Sequence, residues 1–256
     1  MIVETPNLKS APLRERCCLT STSYNYGIVE VRYILSLSGA ETMIISRQKD
    51  LTVLFESLSS DDAFFVIGCG KCAEKLRVGG QREVEEISHR LVERGLRVVG
   101  SHVISTACSI NSWEETVSEM PEIDDATVLL VMACGNGVSM ISKASQMKTL
   151  PVLDTTSIGG VCHGYIIHEQ CAACAECNTH LYHGLCPTAQ CPKGLQNGPC
   201  GGSINGSCEI GSERSCVWSQ IYEEAEKCGS LRVFTEFHPP KDHSKRVRRE
   251  GILEKI

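Results

Sequence analysis

The chain has 256 residues, a net charge of −6 and a pI near 5.8, room for one or two domains. Its acidic balance argues against nucleic-acid binding, which needs a basic footprint, and an aromatic content of 5% argues against large stacking surfaces. Sixteen cysteines leave two readings: disulfides in a secreted protein, or metal ligation in a reducing compartment.

Residues 1–42 show no clean period and hold an adjacent Cys17-Cys18 pair to which no role is assigned. They read as an N-terminal extension, with Met43 as an alternative natural start. The first residues lack the basic start, apolar core and small-residue cleavage site of a secretory signal. The longest apolar run, Ala126 to Cys134, is far short of the ~20 residues of a membrane span. The expectation is a cytoplasmic protein, away from membranes, whose reduced thiols bind metal rather than pair.

Residues 43–160 read as an α/β domain. Leu51, Leu54, Phe55 and Leu58 have helical spacing over Arg47 to Leu58. Ala63 to Gly68 is a short buried strand. Gly79-Gly80 opens a helix with Val84, Ile87 and Leu91 on one face, and Gly95 follows as its C-terminal glycine. Leu96 to Ile104 is a second strand and Trp113 to Glu119 a short acidic helix. Ala126 to Ala133 is a third, uniformly apolar strand of the kind found in parallel sheets. Val138 to Met147 returns as a helix, and Pro151 to Asp154 is a fourth strand. This alternation predicts a small parallel sheet, Rossmann- or flavodoxin-like, flanked by helices.

Residues 161–228 follow as a cysteine-rich, loop-dominated metal-binding domain. It closes on a helix with Val217, Trp218, Ile221, Tyr222 and Ala225 on one face. Residues 229–256 are a polar, extended tail whose Lys245, Arg246, Arg248 and Arg249 could grip an acidic patch on a partner, with a solvated terminus as the equal alternative. Cys162 and Cys228 read as ordinary thiols.

Four cysteines fall at predicted strand ends: Cys69 and Cys72 in Gly68-Cys-Gly70-Lys-Cys-Ala, Cys108, and Cys134 in Ala133-Cys-Gly135-Asn-Gly137. In a parallel sheet these share the edge where α/β folds bind ligands. Each loop feeds a helix N-terminus suited to negative charge. Gly68, Gly70, Gly135 and Gly137 let the backbone approach and donate N–H groups to sulfur. The set suits a [4Fe–4S] cluster; a redox dithiol at Cys69/Cys72 is the competing reading. The loops match neither a dinucleotide fingerprint, lacking its third glycine, nor a P-loop, lacking the Ser/Thr after lysine.

The remaining eight, Cys171, Cys174, Cys177, Cys186, Cys191, Cys200, Cys208 and Cys216, are spaced C-x2-C-x2-C-x8-C-x4-C-x8-C-x7-C-x7-C. Cys171-Ala-Ala-Cys174-Ala-Glu-Cys177, with Cys186-Pro187 at a distance, resembles the C-x2-C-x2-C…C-P pattern of bacterial ferredoxins. The longer gaps beyond Cys191 suit a second site, a cluster or zinc. Spacing does not assign which cysteines share a site. His180 and His183 are candidate additional ligands, with exposed loop histidines as the plainer reading. The carboxylate pairs Asp61-Asp62, Glu85-Glu86 and Asp124-Asp125 read as solvated charge, and Asp154 stands at a strand end with no evident partner.

The string Cys191-Pro-Lys-Gly-Leu-Gln-Asn-Gly-Pro-Cys200-Gly-Gly, continuing through Cys208 and Cys216-Val-Trp, resembles the C-terminal domain family of methylenetetrahydrofolate reductases. Its standalone form is the MetV-type companion subunit. Met43-Ile-Ile-Ser-Arg-Gln-Lys, the loops at Cys69 and Cys134, and Pro239-Pro-Lys-Asp-His-Ser-Lys extend the resemblance over about residues 43–249. Leu76 stands where such proteins often carry a further cysteine. The resemblance implies an accessory electron-transfer subunit without a complete active site of its own. It implies two or more [4Fe–4S] clusters, one site being possible for zinc, and FAD or FMN on the partner. That partner is a flavin-binding TIM-barrel reductase subunit, which reduces methylenetetrahydrofolate to methyltetrahydrofolate; a further electron-donor subunit is a second candidate partner. This chain shows no eightfold β/α repeat of its own. The alternative is a zinc-stabilised structural or assembly subunit of the same complex.

Overall fold

A computed structural model describes residues 25–26, 29–30, 41–162 and 166–246. Cys17, Cys18, Arg248 and Arg249 lie outside the described residues. The chain divides into two units, Met1–Glu41 and Thr42–Ile256. The first contributes one antiparallel pairing, β1 (Asn25–Tyr26) with β2 (Val29–Glu30).

The second unit is built on four parallel strands: β4 (Ala63–Cys69), β5 (Arg97–Ile104), β6 (Val128–Met132) and β7 (Lys148–Pro151). Their order is β5-β4-β6-β7, parallel throughout. Numbered within the sheet this is 2-1-3-4, the flavodoxin-like progression. Every residue of β4 and β6 is buried, which is why both read as continuous apolar runs rather than alternating ones.

Alternate side chains serve opposite faces. Phe65, Ile67, Leu129 and Val131 pack with Trp113 and Ile141, from α4 (Ile110–Glu119) and α5 (Gly135–Ser145). Phe64, Val66, Val128 and Leu130 pack with Leu54, Val84, Ile87 and Leu91, from α1 (Leu51–Glu56) and α3 (Gln81–Glu93). Each such side chain contributes about 1.5–3 kcal/mol when withdrawn from water, so this three-layer sandwich holds most of the apolar core.

Several boundaries differ from the sequence expectation. Arg47 lies in a strand, β3 (Glu41–Gln48), and the helix starts only after Asp50, whose carboxylate accepts from the Thr52 amide at 2.9 Å. A capping carboxylate outweighs the apolar spacing that would start the helix earlier. The fourth parallel strand is Lys148–Pro151, not Pro151 to Asp154. Beyond it the chain enters a hairpin of β8 (Leu153–Cys162) and β9 (Ile166–Cys171). With β3 these form a second sheet, ordered β3-β8-β9. The hairpin crosses the expected boundary at residue 160 and delivers the chain directly to Cys171. Glu83 is 5% exposed; its carboxylate accepts from the Gly80 amide at 3.1 Å and so caps α3.

After β9 the chain is mostly loop, with α6 (Pro187–Gln190), the ribbon β10 (Ser207–Cys208) and β11 (Gly211–Ser215), and α7 (Val217–Lys227). Its own core is small: Tyr182, Val217, Trp218 and Ile221, with Cys191, Cys216 and Phe234 packed against them. Tyr222, expected on that face, is 47% exposed and rests on the edge of Phe234 instead. Among the described residues no helix is long and apolar enough to cross a membrane.

Candidate functional site

Thirteen of the described cysteines carry free thiols. The parallel sheet gathers the first four. Cys69 closes β4, and Cys72 opens the short helix α2 (Cys72–Lys75). Cys108 precedes α4, whose cap is Ser109, and Cys134 is the N-terminal cap of α5. The sheet places β5 and β6 on opposite sides of β4, so the topological switch point lies between the carboxyl ends of β4 and β6. Cys69 and Cys134 stand at those ends.

The other three sulfurs act on Cys108. Cys108 is open to solvent at its surface, yet its thiol is pushed up, first by local desolvation and then by Cys134, Cys69 and Cys72 as neighbouring negative charges. A thiol held up by three neighbouring cysteines is a donor whose ionisation a cation or cationic cluster core would favour.

Glycines bring these loops together. A Cβ on Gly68 would stand 2.7 Å from the Gly79 carbonyl, and one on Gly137 would stand 2.8 Å from Ala107 Cβ and 3.0 Å from Ala133 Cβ. The expected donation to sulfur does not hold for the other two. The Gly70 amide donates to the Ile104 carbonyl at 2.9 Å, and the Gly135 amide to Thr155 Oγ1 at 2.8 Å. The helix-terminus contribution is correspondingly small, since α2 has four residues and the first amide of α5 is already engaged. Leu76 is 9% exposed and packs with Met43, Ile45 and Val161, an apolar role for a position that holds cysteine in the resemblance.

Four of the eight later cysteines share one space. Cys191, Cys200, Cys208 and Cys216 line one cavity, together with Lys193, Val217 and Trp218. Trp218 is 2% exposed, and among the described residues its buried indole N–H has no hydrogen-bond acceptor. A buried N–H donor beside four thiols is a feature that a sulfur-rich group would satisfy. Cys200 accepts from the Gly202 amide at 3.4 Å, and its thiol is lowered first by that bond and further by Lys193.

Cys171, Cys174 and Cys177 lie on a loop that turns back on itself, with Ala173 at φ 49° and Ala175 at φ 62° on either side of Cys174. Left-handed alanines cost of order 1 kcal/mol each. The Ala173 amide donates to Cys171 Sγ at 3.3 Å. Cys174 is buried, which opposes its ionisation, but the Lys241 ammonium and a backbone hydrogen bond at Glu176 outweigh this and hold the thiol low. Cys177 is lowered first by the Thr179 hydroxyl and then by the Thr179 backbone. Cys186 caps α6, which is tied to the hairpin by Gln190 Nε2 donating to the Glu169 carbonyl at 3.1 Å.

Among the described residues no three His, Cys, Asp or Glu side chains converge closely enough to hold a metal ion as oriented. Cys191, Cys200, Cys208 and Cys216 line a common cavity without closing on a point, and the number and type of the thiol donors fit a metal or cluster. His183 is not turned to the thiols: its Nε2 lies 2.9 Å from Ser230 Oγ. Asp154 is inside β8 and has a partner after all, Lys49. Cys228 caps the end of α7, exposed.

Sequence reasoning missed Lys241. It is 8% exposed and lies in the tail expected to be extended, which instead folds back on the Cys174 loop. Lys245, expected to face a partner, pairs with Glu176 at 3.0 Å. Only the proline pair and the lysine at Pro239-Pro240-Lys241 hinted at a fixed position.

No curated protein and no solved structure matches the chain. Residues 150–244 match the family model described as "Methylene-tetrahydrofolate reductase C terminal". That span takes in the hairpin, all eight later cysteines and Lys241, and this part of the chain is related to the C-terminal domain of methylenetetrahydrofolate reductases.

Proposed function

We propose that the chain is a cytoplasmic iron–sulfur electron-transfer subunit that partners a flavin-containing methylenetetrahydrofolate reductase subunit. The observation that carries this reading is the grouping of Cys191, Cys200, Cys208 and Cys216 around one cavity, inside the segment related to that reductase family. By remainder, Cys171, Cys174, Cys177 and Cys186 form a second set, and Cys69, Cys72, Cys108 and Cys134 a third. When bound, [4Fe–4S] clusters supply one-electron steps at potentials tuned by N–H donors and burial. The chain's own part is to present thiolates, shield them and donate N–H groups to sulfur, as Gly202 does to Cys200 and Ala173 to Cys171. The flavin and folate sites belong to the partner, whose flavin would collect two electrons for each methylene group reduced.

Zinc is the second reading for the Cys191–Cys216 set. Cys191 and Cys216 pack into the core of their lobe, as structural zinc ligands do. The test is iron, sulfide and zinc analysis of anaerobically purified chain, with electron paramagnetic resonance after dithionite reduction. Iron with reducible cluster signals is expected. A colourless protein containing zinc and no iron overturns the electron-transfer reading.

A further inference from the structure

We propose that Lys241 is a positioning residue for the centre held by Cys171, Cys174, Cys177 and Cys186, raising its reduction potential through Cys174, and that residues 239–245 form the strap that delivers it. The inference rests on the cluster reading above. Lys241 Nζ lies 3.0 Å from Cys174 Sγ and 2.7 Å from the Glu176 carbonyl oxygen. Both residues are buried, at 8% and 7% exposure. Among the described residues no carboxylate lies within ion-pairing distance of this ammonium. A buried cation needs a compensating negative charge, and the Cys174 sulfur is the group positioned to supply it.

The strap is fastened at both ends. Upstream, Asn197 brackets His238, its Nδ2 donating to the His238 carbonyl at 2.9 Å and its Oδ1 accepting the His238 amide at 2.7 Å. Downstream, Glu176 accepts the Asp242 amide at 2.9 Å and pairs with Lys245 at 3.0 Å. On the loop side the left-handed Ala173 and Ala175 fix the turn that puts Cys174 under the ammonium. Sixty-odd residues of chain separate the two partners (|i−j| is 67), so the contact is built by the fold and not by local sequence.

Reduction adds one electron and hence one negative charge to the centre, with no bond made or broken. A cation fixed against a ligand sulfur favours the reduced form, as a charge-assisted hydrogen bond does. Removing it should lower the reduced-to-oxidised ratio at a fixed poise about tenfold, equivalent to about 59 mV for a one-electron couple.

The experiment is a dithionite redox titration of the anaerobically purified full chain, followed by electron paramagnetic resonance, for wild type, Lys241→Met and Lys241→Arg. Cys174→Ala identifies which signal belongs to this centre. The expected result is a lower potential for that signal alone in Lys241→Met and a near wild-type value in Lys241→Arg. Loss of this centre's iron in Lys241→Met with retention in Lys241→Arg supports the strap equally. Equal potentials and iron contents in all three proteins, or equal iron loss in both variants, overturns the inference while leaving the cluster reading intact. Absence of iron from the wild type overturns the cluster reading and the inference with it.

Discussion

Two glycines two residues apart in α5 give a test of how the first cysteine set is assembled. A Cβ on Gly137 would stand 2.8 Å from Ala107 Cβ and 3.0 Å from Ala133 Cβ, against the ~3.5–4.0 Å of an unstrained carbon contact. Either α5 or the Ala107 loop must therefore yield by roughly 0.5–1 Å. Ala107 and Ala133 directly precede Cys108 and Cys134, so the movement separates two thiols of the set. Overpacking of this kind costs about 1–3 kcal/mol, while alanine gains up to about 1 kcal/mol over glycine in a helix. Gly135→Ala is the matched control, because its Cβ meets only Thr155 Oγ1, at an ordinary 3.7 Å. Both substitutions share the propensity gain, so the difference between them isolates the clash. Urea unfolding should place Gly137→Ala about 1–3 kcal/mol below Gly135→Ala, with the iron or zinc of this set lost from Gly137→Ala alone. Equal midpoints and equal metal contents would refute close approach of α5 as the device that gathers these thiols.

Other expectations follow from the same geometry. Serine at Cys191, Cys200, Cys208 or Cys216 should remove one and the same metal increment, and serine at Cys171, Cys174, Cys177 or Cys186 a different one; metal stoichiometry per chain reads this directly. Trp218→Ala should cost about 3–5 kcal/mol and, by hydrogen exchange, loosen the lobe around Tyr182 and Ile221 while the parallel sheet keeps its protection. Asp154→Asn should cost under about 1 kcal/mol and leave metal content unchanged, because Asp154 answers Lys49 rather than a ligand. Acid should release the strap. The Asp242 amide first, and then Lys245, hold the Glu176 carboxyl below its ordinary value of 4.5. A depressed folded pKa contributes stability above the unfolded value and loses it as pH falls through the folded one. Protection factors of the amides at residues 241–245 of the metal-free chain, corrected for intrinsic exchange at each pH, should therefore hold from neutral pH to near 4.5 and fall only below it; loss of protection well above that pH would show that Glu176 is not the fastener.

The parallel sheet was legible because its physics is local. β4 and β6 are buried on both faces, and that demand shows as unbroken apolar runs in Phe64 to Ile67 and Val128 to Met132. α3 announces itself by the spacing of Val84, Ile87 and Leu91 and by Gly95, which stands at φ 75° just past the helix. The β8–β9 hairpin was not legible. Its strands carry Thr155, Thr156, Gly159 and Gly160, because one cross-strand approach is so tight that a Cβ on Gly159 would lie 1.9 Å from the His168 carbonyl oxygen. That requirement removes the alternating apolar signal a strand normally gives. The first cysteine set could be drawn from topology alone, since strand ends of a parallel sheet share an edge. The division of the later eight could not, because loop spacing carries no period, and the cavity shared by Cys191, Cys200, Cys208 and Cys216 is a property of the folded ribbon and α7.

The same distinction explains why Lys241 was missed and why its position matters. Lys245 at Glu176 and Lys241 at Cys174 are pairings between residues more than sixty apart, and hydropathy or motif spacing says nothing about them. They answer a problem the lobe's composition creates. Eight thiols on loops offer little apolar surface, and the core of Tyr182, Val217, Trp218 and Ile221 is too small to hold some fifty residues by burial alone. On the proposed reading, metal binding supplies the missing stability, and each thiolate then adds negative charge to a chain already at −6. Cations must be brought to the ligands, and the loops hold few of them: Lys193 near Cys200 is one. The tail brings the next, which makes it part of the site rather than an appendage. A chain truncated before Pro239 should retain the parallel sheet and the thiols of all three sets, yet release metal from the Cys171–Cys186 set more readily than from the Cys191–Cys216 set when challenged with a chelator. Equal release from the two would mean that the strap serves the surface and not the centre.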